Sequence, residues 1–167
     1  MESEFKRRDK VNYYLDMAEV VGKRGTCIRK QYGAVIVKND EVVSTGYVGA
    51  PRGRKNCIDL GTCRREQLKV PRGERYELCR SVHAEQNAII SASRERMLGS
   101  SLYLTGIDLR DDGKYVEKAM PCAMCKRVII NAGIKTVFIR DSYDEYRQID
   151  VQDWVDSDDS LTAAFGY

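Results

Sequence analysis

Residues 33–47 have the sequence GAVIVKNDEVVSTGY, in which two apolar segments flank a polar pair. Residues 33–38 predict a buried strand, and residues 41–47 predict a strand that returns beside it. Asn39 and Asp40 between them are typical of a tight turn. This stretch therefore predicts a β-hairpin inside the core of the fold.

Helices and further strands alternate around this hairpin. A helical period covers residues 9–22, where Asp9 is the expected N-cap, and it returns from His83 to about Gly99. Further segments predict strands at 102–105, 134–139 and 149–151, a hairpin insertion around 106–119, and a helix from Pro121 to Ala132 that ends at Gly133. The alternation predicts an α/β class fold, an α/β/α sandwich around a single mixed five-stranded sheet. We expect residues 1–167 to form a single domain.

The composition indicates a globular chain without a membrane segment. Hydrophobic residues make up 43% and charged residues 32%, and no apolar run approaches the length of a membrane span. The charged N-terminus lacks a signal-peptide pattern, so we expect a cytoplasmic protein. The net charge is only +3, with dispersed Lys and Arg, which argues against a long nucleic acid partner. A small phosphorylated substrate needs only one or two cations.

Cysteine and histidine usage points to metal chemistry. The chain has six cysteines and one histidine, His83. In a cytoplasmic protein such cysteines indicate metal binding or catalysis before disulfides. Mechanisms that need two histidines are excluded.

Two short motifs carry the candidate chemistry, His-Ala-Glu at 83–85 and Pro-Cys-Ala-Met-Cys at 121–125. Each is expected to begin a helix, where free N–H groups and the helix dipole favour thiolates. His83, Cys122 and Cys125 would give zinc three ligands and leave its fourth position for water, as in catalytic sites.

Glu85 completes this candidate site. Zinc would lower the pKa of its bound water, and the zinc-bound hydroxide would attack the ring carbon that bears the amine. Glu85, which is not a ligand in this signature, would shuttle the proton to the ring and to the leaving amine. Alone, the Cys-x-x-Cys could be a redox pair or half of a zinc knuckle, and His83 a helix cap. The combination favours a catalytic zinc.

Four further cysteines offer two alternatives. Cys27, Cys57, Cys63 and Cys79 flank or lie in a segment at about 48–80 that has little periodicity, apart from a short helix near 63–69. Four thiolates could form a closed structural zinc site that orders this segment. The alternative is that they are buried free cysteines, which behave as small apolar residues.

The chain resembles the deoxycytidylate deaminase family of the cytidine deaminase-like zinc hydrolases. The resemblance rests on residues 32–36, 44–47, 49–53, 56–57, 83–89 and 121–125. It implies the cytidine deaminase-like fold, the zinc ligands and proton shuttle given above, and hydrolysis of deoxycytidylate (dCMP) to deoxyuridylate (dUMP) and ammonia. Relatives carry a structural zinc on cysteines that correspond to Cys27 and Cys57, and they form homo-oligomers, hexamers or dimers.

The resemblance also implies substrate contacts. These are Thr45, Gly46, Tyr47, Val48, Ala84 and Arg94. Arg94 follows His83 by about three helical turns, so it is expected on the same helix face, either as a ligand of the 5′-phosphate or as a solvated arginine. Val48 stands where the family has an Asn that contacts the substrate sugar.

Three alternatives to dCMP deamination stay open at this point. The substrate could be another cytosine nucleotide or nucleoside. A base in transfer RNA or single-stranded DNA would need a basic, aromatic channel, for which the modest charge gives little support. A zinc-stabilised binding module without catalysis would leave Glu85 without a role.

Overall fold

The computed structural model describes residues 6–158 and Leu161. In chain order its elements are α1 (Lys10–Gly22), β1 (Lys30–Lys38), β2 (Glu41–Tyr47), α2 (Cys57–Leu60), α3 (Arg64–Gln67), a 3-10 helix (Tyr76–Leu78), α4 (Ala84–Ile90), α5 (Arg94–Met97), β3 (Ser101–Asp108), β4 (Lys114–Tyr115), α6 (Ala123–Ala132), β5 (Thr136–Arg140), β6 (Tyr146–Asp150) and α7 (Val151–Asp156). Within these described ranges, no helix combines the length and the apolar character that a membrane crossing requires.

All strands belong to one mixed sheet with the order β2-β1-β3-β5-β6. β1 runs antiparallel to both β2 and β3, and β6 runs antiparallel to β5. β3 and β5 are parallel, and α6 lies in the connection between them. The predicted mixed sheet is confirmed, and it has a sixth strand because the hairpin insertion contributes β4, which pairs with β3.

The sheet is buried on both faces. Ala34 and Ile36 of β1 belong to a hydrophobic cluster with α4 and α6, whereas Val35 and Val37 face a second cluster with α1. Side chains alternate between the faces of a strand, so a strand covered on both sides is apolar throughout. This is why the run at 34–37 shows no polar alternation, and the three layers are those of an α/β/α sandwich.

Signals at the ends of elements act as the sequence predicts. The Asp9 carboxylate accepts a hydrogen bond of 3.0 Å from the Asn12 N–H and caps α1. Asn39 and Asp40 have φ of 52° and 63°, the left-handed pair that matches the twist of a two-residue hairpin. Gly133 ends α6 with φ of 79°.

The helix predicted from His83 to about Gly99 is wrong as one element. α4 ends at Ile90, and α5 begins at Arg94 after Ser93, whose hydroxyl accepts from the Arg96 N–H at 3.4 Å. Serine hydroxyls compete with the helix for backbone groups and favour caps over helix interiors.

Residues 49–82, here called the Cys-rich insertion, form a segment whose two ends lie side by side. Gly49 and Val82 exchange two backbone hydrogen bonds, of 3.1 and 2.7 Å. Thr26 anchors the insertion to the end of α1 through a 2.9 Å hydrogen bond to the Asn56 side chain. The insertion contains α2, α3 and the 3-10 helix, and α3 lies where a short helix is predicted.

Candidate active site

His83 is the N-cap of α4, and α4 is held unusually close to the sheet. The Gln86 side chain accepts a 3.0 Å hydrogen bond from the His83 N–H and fixes the entry into the helix. α4 packs against Gly46 of β2, where an added Cβ would lie 2.3 Å from both the Ala84 carbonyl oxygen and the Ala88 nitrogen. The missing side chain at Gly46 therefore sets how closely α4 approaches the sheet.

Two side-chain hydrogen bonds fasten α4 to the same strand. The buried Ser44 hydroxyl donates to the Ala88 carbonyl at 2.7 Å. The Asn87 amide donates to the Tyr47 carbonyl at 2.8 Å. These contacts fix the position of α4 relative to β2 and its rotation about its own axis, and α4 carries the His-Ala-Glu motif.

The two cysteines of the second motif lie at the start of α6. Cys122 is its N-cap and Cys125 lies in its first turn, so both sulfurs are near the free N–H groups of this end. The sequence predicted Pro121 in the first turn of this helix, which is wrong, because Pro121 lies one residue before the N-cap. The position of both sulfurs at a helix start is as expected.

The folded chain brings His83 to these cysteines. The His83 Nδ1 atom lies 3.5 Å from Cys122 Sγ and 3.4 Å from Cys125 Sγ. The three ligand atoms lie within 4.8 Å of one another and form the one group in the described part of the chain with the proximity of a metal site. One imidazole and two thiolates are a donor set that zinc prefers and that leaves a position open.

The three side chains of the donor set interact electrostatically with one another. A hydrogen bond from Cys125, supported by His83, lowers the pKa of Cys122 to about 4. Burial opposes charge on His83, but hydrogen bonds with Cys122 and Cys79 outweigh it and raise the pKa of His83 to about 10. Negative charge is thus stabilised on Cys122, whereas the hydrogen bond with Cys122 and burial raise the pKa of Cys125. A metal would displace protons from Cys125 and His83, because thiolate and neutral imidazole are the forms that bind metal.

Glu85 lies beside the donor set and is almost fully buried, with 5% of its surface exposed. Burial raises the pKa of Glu85, and its carboxylate accepts a hydrogen bond from the Cys125 thiol. A carboxyl group with a raised pKa can both hold and release a proton near neutral pH. Its chemistry is that of a proton carrier next to a metal.

The site opens into a pocket of about 840 Å³, part of which is open to solvent. His83, Glu85 and Cys122 line it, and so do Val48 and Ala84. Thr45, Gly46 and Tyr47 lie on the neighbouring strand and do not line this pocket, although the resemblance assigns them substrate contacts. Gly46 acts in the structure through the packing of α4.

Arg94 lies away from the pocket. Because α4 ends at Ile90, the argument that three continuous turns place Arg94 on the His83 face is wrong. Arg94 is exposed, and its Nε donates to the Asn131 carbonyl at 2.9 Å. The structure therefore gives it a contact with the end of α6 and none with the pocket.

Several pocket residues were not predicted from the sequence. They are Arg29, Lys30, Tyr32, Arg65, Arg72, Tyr76 and Met120. The one signal in the sequence is the density of arginine in the Cys-rich insertion and next to Cys27. That signal does not say which arginines turn inward.

Three of the four remaining cysteines border this pocket. Cys27, Cys63 and Cys79 line it, and Cys57 is buried behind them. Burial raises the pKa of Cys57, and the neighbouring thiols raise it further. Their sulfur atoms are not drawn together as closely as those of the zinc-type group, within the residues that the structure describes.

Comparisons with known proteins agree with this geometry. Residues 8–140 match the family described as the cytidine and deoxycytidylate deaminase zinc-binding region. The chain belongs to this family. Zinc is therefore the metal expected at the His83 site, and the chain is a deaminase of this family.

Individual relatives share most of the deaminase domain. A deoxycytidylate deaminase of Schizosaccharomyces pombe is 35% identical over 79% of this chain, which spans 37% of that protein. The deoxycytidylate deaminase of Mycobacterium phage D29 is 36% identical over 78% of this chain and 94% of its own length. The dCMP deaminase of cyanophage S-TIM5, crystallised with dCMP and dUMP, has a TM-score of 0.56 and 26% identity over 81% of this chain and 84% of its own.

Proposed function

We propose that this chain hydrolyses dCMP to dUMP and ammonia. The observation that carries the proposal is the buried Glu85 carboxyl beside the donor set of His83, Cys122 and Cys125, at the base of a pocket. The names of the S. pombe and phage D29 relatives support dCMP as the substrate. So does the pair of nucleotides bound by the cyanophage enzyme.

The metal ligands and Glu85 have separate roles in the proposed reaction. When bound by His83, Cys122 and Cys125, zinc supplies a Lewis acid that lowers the pKa of a coordinated water. Glu85 takes the proton of the attacking water and delivers it to the ring nitrogen and then to the exocyclic amine. The products then balance, since water and dCMP give dUMP and ammonia.

Val48 bears on which cytosine compound is preferred. It lines the pocket, is 7% exposed, and its backbone N–H and carbonyl are already used in hydrogen bonds to Tyr32 and Thr26. A valine side chain cannot donate to a sugar hydroxyl. We propose that the sugar is selected by shape at this position, so ribose and deoxyribose compounds belong in the same test.

The test is ammonia release by the zinc-loaded protein from four compounds at equal concentration. They are dCMP, cytidylate, deoxycytidine and a cytosine-containing oligodeoxynucleotide. We expect the highest kcat/KM for dCMP. Turnover of the oligonucleotide or of cytidylate in preference to dCMP would reject dCMP as the substrate and keep the deaminase chemistry.

We also propose a second, structural zinc on Cys27, Cys57, Cys63 and Cys79. Mutual proximity supports it, since the other three thiols all act on the pKa of Cys57. Zinc binding would pull the four sulfurs inward and tie both ends of the Cys-rich insertion to the end of α1. We expect two zinc ions per chain by mass spectrometry of the metal, and one in Cys63→Ser. A single ion in the unmodified chain would reject this site.

Other expectations from the sequence stay predictions. They are one deaminase domain over the whole chain, a homo-oligomer and a cytoplasmic location. Sedimentation velocity at several protein concentrations tests the homo-oligomer, because a monomer at all concentrations would exclude it.

A further inference from the structure

Four basic side chains line the pocket besides the donor set. Arg29 has a carboxylate partner, Glu66, at 3.2 Å, and Lys30 lies 4.0 Å from Asp108. The other two are Arg65 and Arg72, both from the Cys-rich insertion, and within the described residues neither forms an ion pair. Arg65 and Arg72 thus bring positive charge to the pocket that no carboxylate in the described part of the chain pairs with.

Arg65 is the most unusual of the four because it is buried, with 6% of its surface exposed. One of its terminal nitrogens donates to the Pro71 and Glu74 carbonyls at 3.0 and 2.6 Å, and its Nε, also buried, has no acceptor. A buried guanidinium without a counter-charge is unfavourable. An anion that enters the pocket would relieve this.

The neighbours of Arg65 show where such an anion would lie. The Tyr76 ring packs on the Arg65 guanidinium with its centroid at 4.3 Å, and it contacts the His83 ring edge-on at 5.4 Å. One aromatic ring thus separates the cation from the metal-ligand imidazole. In a nucleotide, the sugar and base likewise separate the phosphate from the reacting amine.

The pKa of Lys30 also indicates an excess of positive charge in this part of the pocket. Burial lowers the pKa of Lys30, and the positive charge of Arg72 lowers it further, although Asp108 acts in the opposite direction. Arg72 therefore lies close enough to Lys30 to repel it. A dianion between these groups would satisfy both.

We propose that Arg65 and Arg72 bind the 5′-phosphate of the substrate. This inference rests on the proposed function, since it assumes a nucleotide monophosphate in the pocket. Arg65 presents a buried, oriented guanidinium, and the exposed Arg72 closes over the phosphate from the rim. We thus assign to Arg65 and Arg72 the contact with the 5′-phosphate that the resemblance implied for Arg94.

The experiment measures binding and not turnover, so it stands apart from the test of the reaction. Calorimetry of the zinc-loaded protein with dUMP and with deoxyuridine gives the preference for the phosphorylated ligand. We expect Arg72→Gln to reduce this preference about tenfold, and Arg65→Gln to reduce it further, because hydrogen bonds to charged groups are the strong ones. Arg64→Gln is the matched control, an exposed neighbour outside this pocket, and should leave the preference unchanged.

The outcomes separate the two proposals. Equal affinity of the unmodified protein for dUMP and deoxyuridine, or an unchanged preference in Arg72→Gln, overturns the phosphate site. Loss of the preference in Arg72→Gln supports the site even if dCMP is not turned over, in which case only the proposed reaction fails. The melting temperature of each variant identifies any that has lost the fold. Because Arg72 is exposed, the result for Arg72→Gln decides between these outcomes.

Discussion

The Nδ1 atom of His83 lies 3.4 Å from the Sγ atom of Cys125, although 42 residues separate them in the chain. His83 begins α4 and Cys125 lies in the first turn of α6, so the contact depends on two helix starts that converge on one point. Each helix packs on the same face of the sheet. The donor set is therefore a product of the tertiary fold.

Replacing Cys125 by Ser should remove the catalytic zinc and the activity together. A serine hydroxyl is a much weaker zinc ligand than a thiolate, and two remaining protein ligands are too few for a stable site. Metal analysis should show one zinc fewer per chain than the unmodified protein. Ser100→Ala, far from the donor set in sequence and outside the pocket, serves as the control and should keep its zinc. Full zinc content in Cys125→Ser would contradict the assigned ligands.

Glu85→Gln should abolish turnover and keep the metal. The amide has nearly the same shape but cannot accept and deliver a proton, a function worth roughly 10²–10⁴-fold in rate. The readouts are kcat for ammonia release and zinc per chain. Glu95→Gln changes an exposed glutamate and should behave as the unmodified protein does. Activity that survives in Glu85→Gln would remove Glu85 from the mechanism.

Gly46→Ala should disturb the active site without touching substrate. The new methyl group would meet backbone atoms of α4 at 2.3 Å, and backbone cannot rotate away. We expect a loss of about 1–3 kcal/mol in unfolding free energy, typical of overpacking, together with a fall in kcat. In Gly49→Ala the nearest atom is the Thr26 side-chain hydroxyl at 3.0 Å, which can move, so a smaller loss is expected. Equal losses in the two variants, measured by urea unfolding, would argue against this role of Gly46.

Stability should fall in acid partly through Asp16. Burial raises the pKa of Asp16, but hydrogen bonds from Arg8 and from the fully buried Arg140 outweigh burial and leave this pKa lowered. A carboxylate with a lowered pKa in the folded state contributes stability above its unfolded pKa of about 4, and loses it as the pH falls through the folded value.

The measurement for Asp16 is the unfolding free energy between pH 6 and pH 3. The unmodified protein should lose more stability below about pH 4 than Asp16→Asn does. Asp112→Asn, a change at an exposed turn position, should follow the unmodified protein. Zinc release in acid affects all three proteins alike, so the difference between their curves isolates Asp16. Parallel curves for all three would show that Asp16 contributes nothing in acid.

The sequence was informative wherever a local physical signal decides the structure. The turn at Asn39 and Asp40, the cap at Asp9 and the strands of the core follow from residue type and period alone. The proximity of His83, Cys122 and Cys125 could be predicted because two motifs combine at helix starts. By contrast, the break before Arg94 is not evident from the sequence, because Ser91 and Ser93 lie within an otherwise helical apolar pattern. The Ser93 hydroxyl caps α5, and the Ser91 hydroxyl donates to the Asn87 carbonyl at the end of α4.

The cationic part of the pocket could not be predicted for a different reason. The Cys-rich insertion has little period, so its sequence does not fix which side chains turn inward. Arg65 points into the fold because its guanidinium binds the carbonyls of Pro71 and Glu74, a contact between non-periodic segments. Arg64, its neighbour, is exposed. Nothing in the residue types alone distinguishes the two.

The hydrogen-bonded pair of Gly49 and Val82 holds the two ends of the Cys-rich insertion beside each other. A change in its length leaves the positions of its two ends unaltered, and doubling a loop adds only about 0.6 kcal/mol of closure entropy. The segment begins and ends outside the two motifs for which we propose metal binding and proton transfer. With the phosphate contacts proposed for Arg65 and Arg72, we expect changes within this segment to alter substrate selectivity while the two motifs keep their positions.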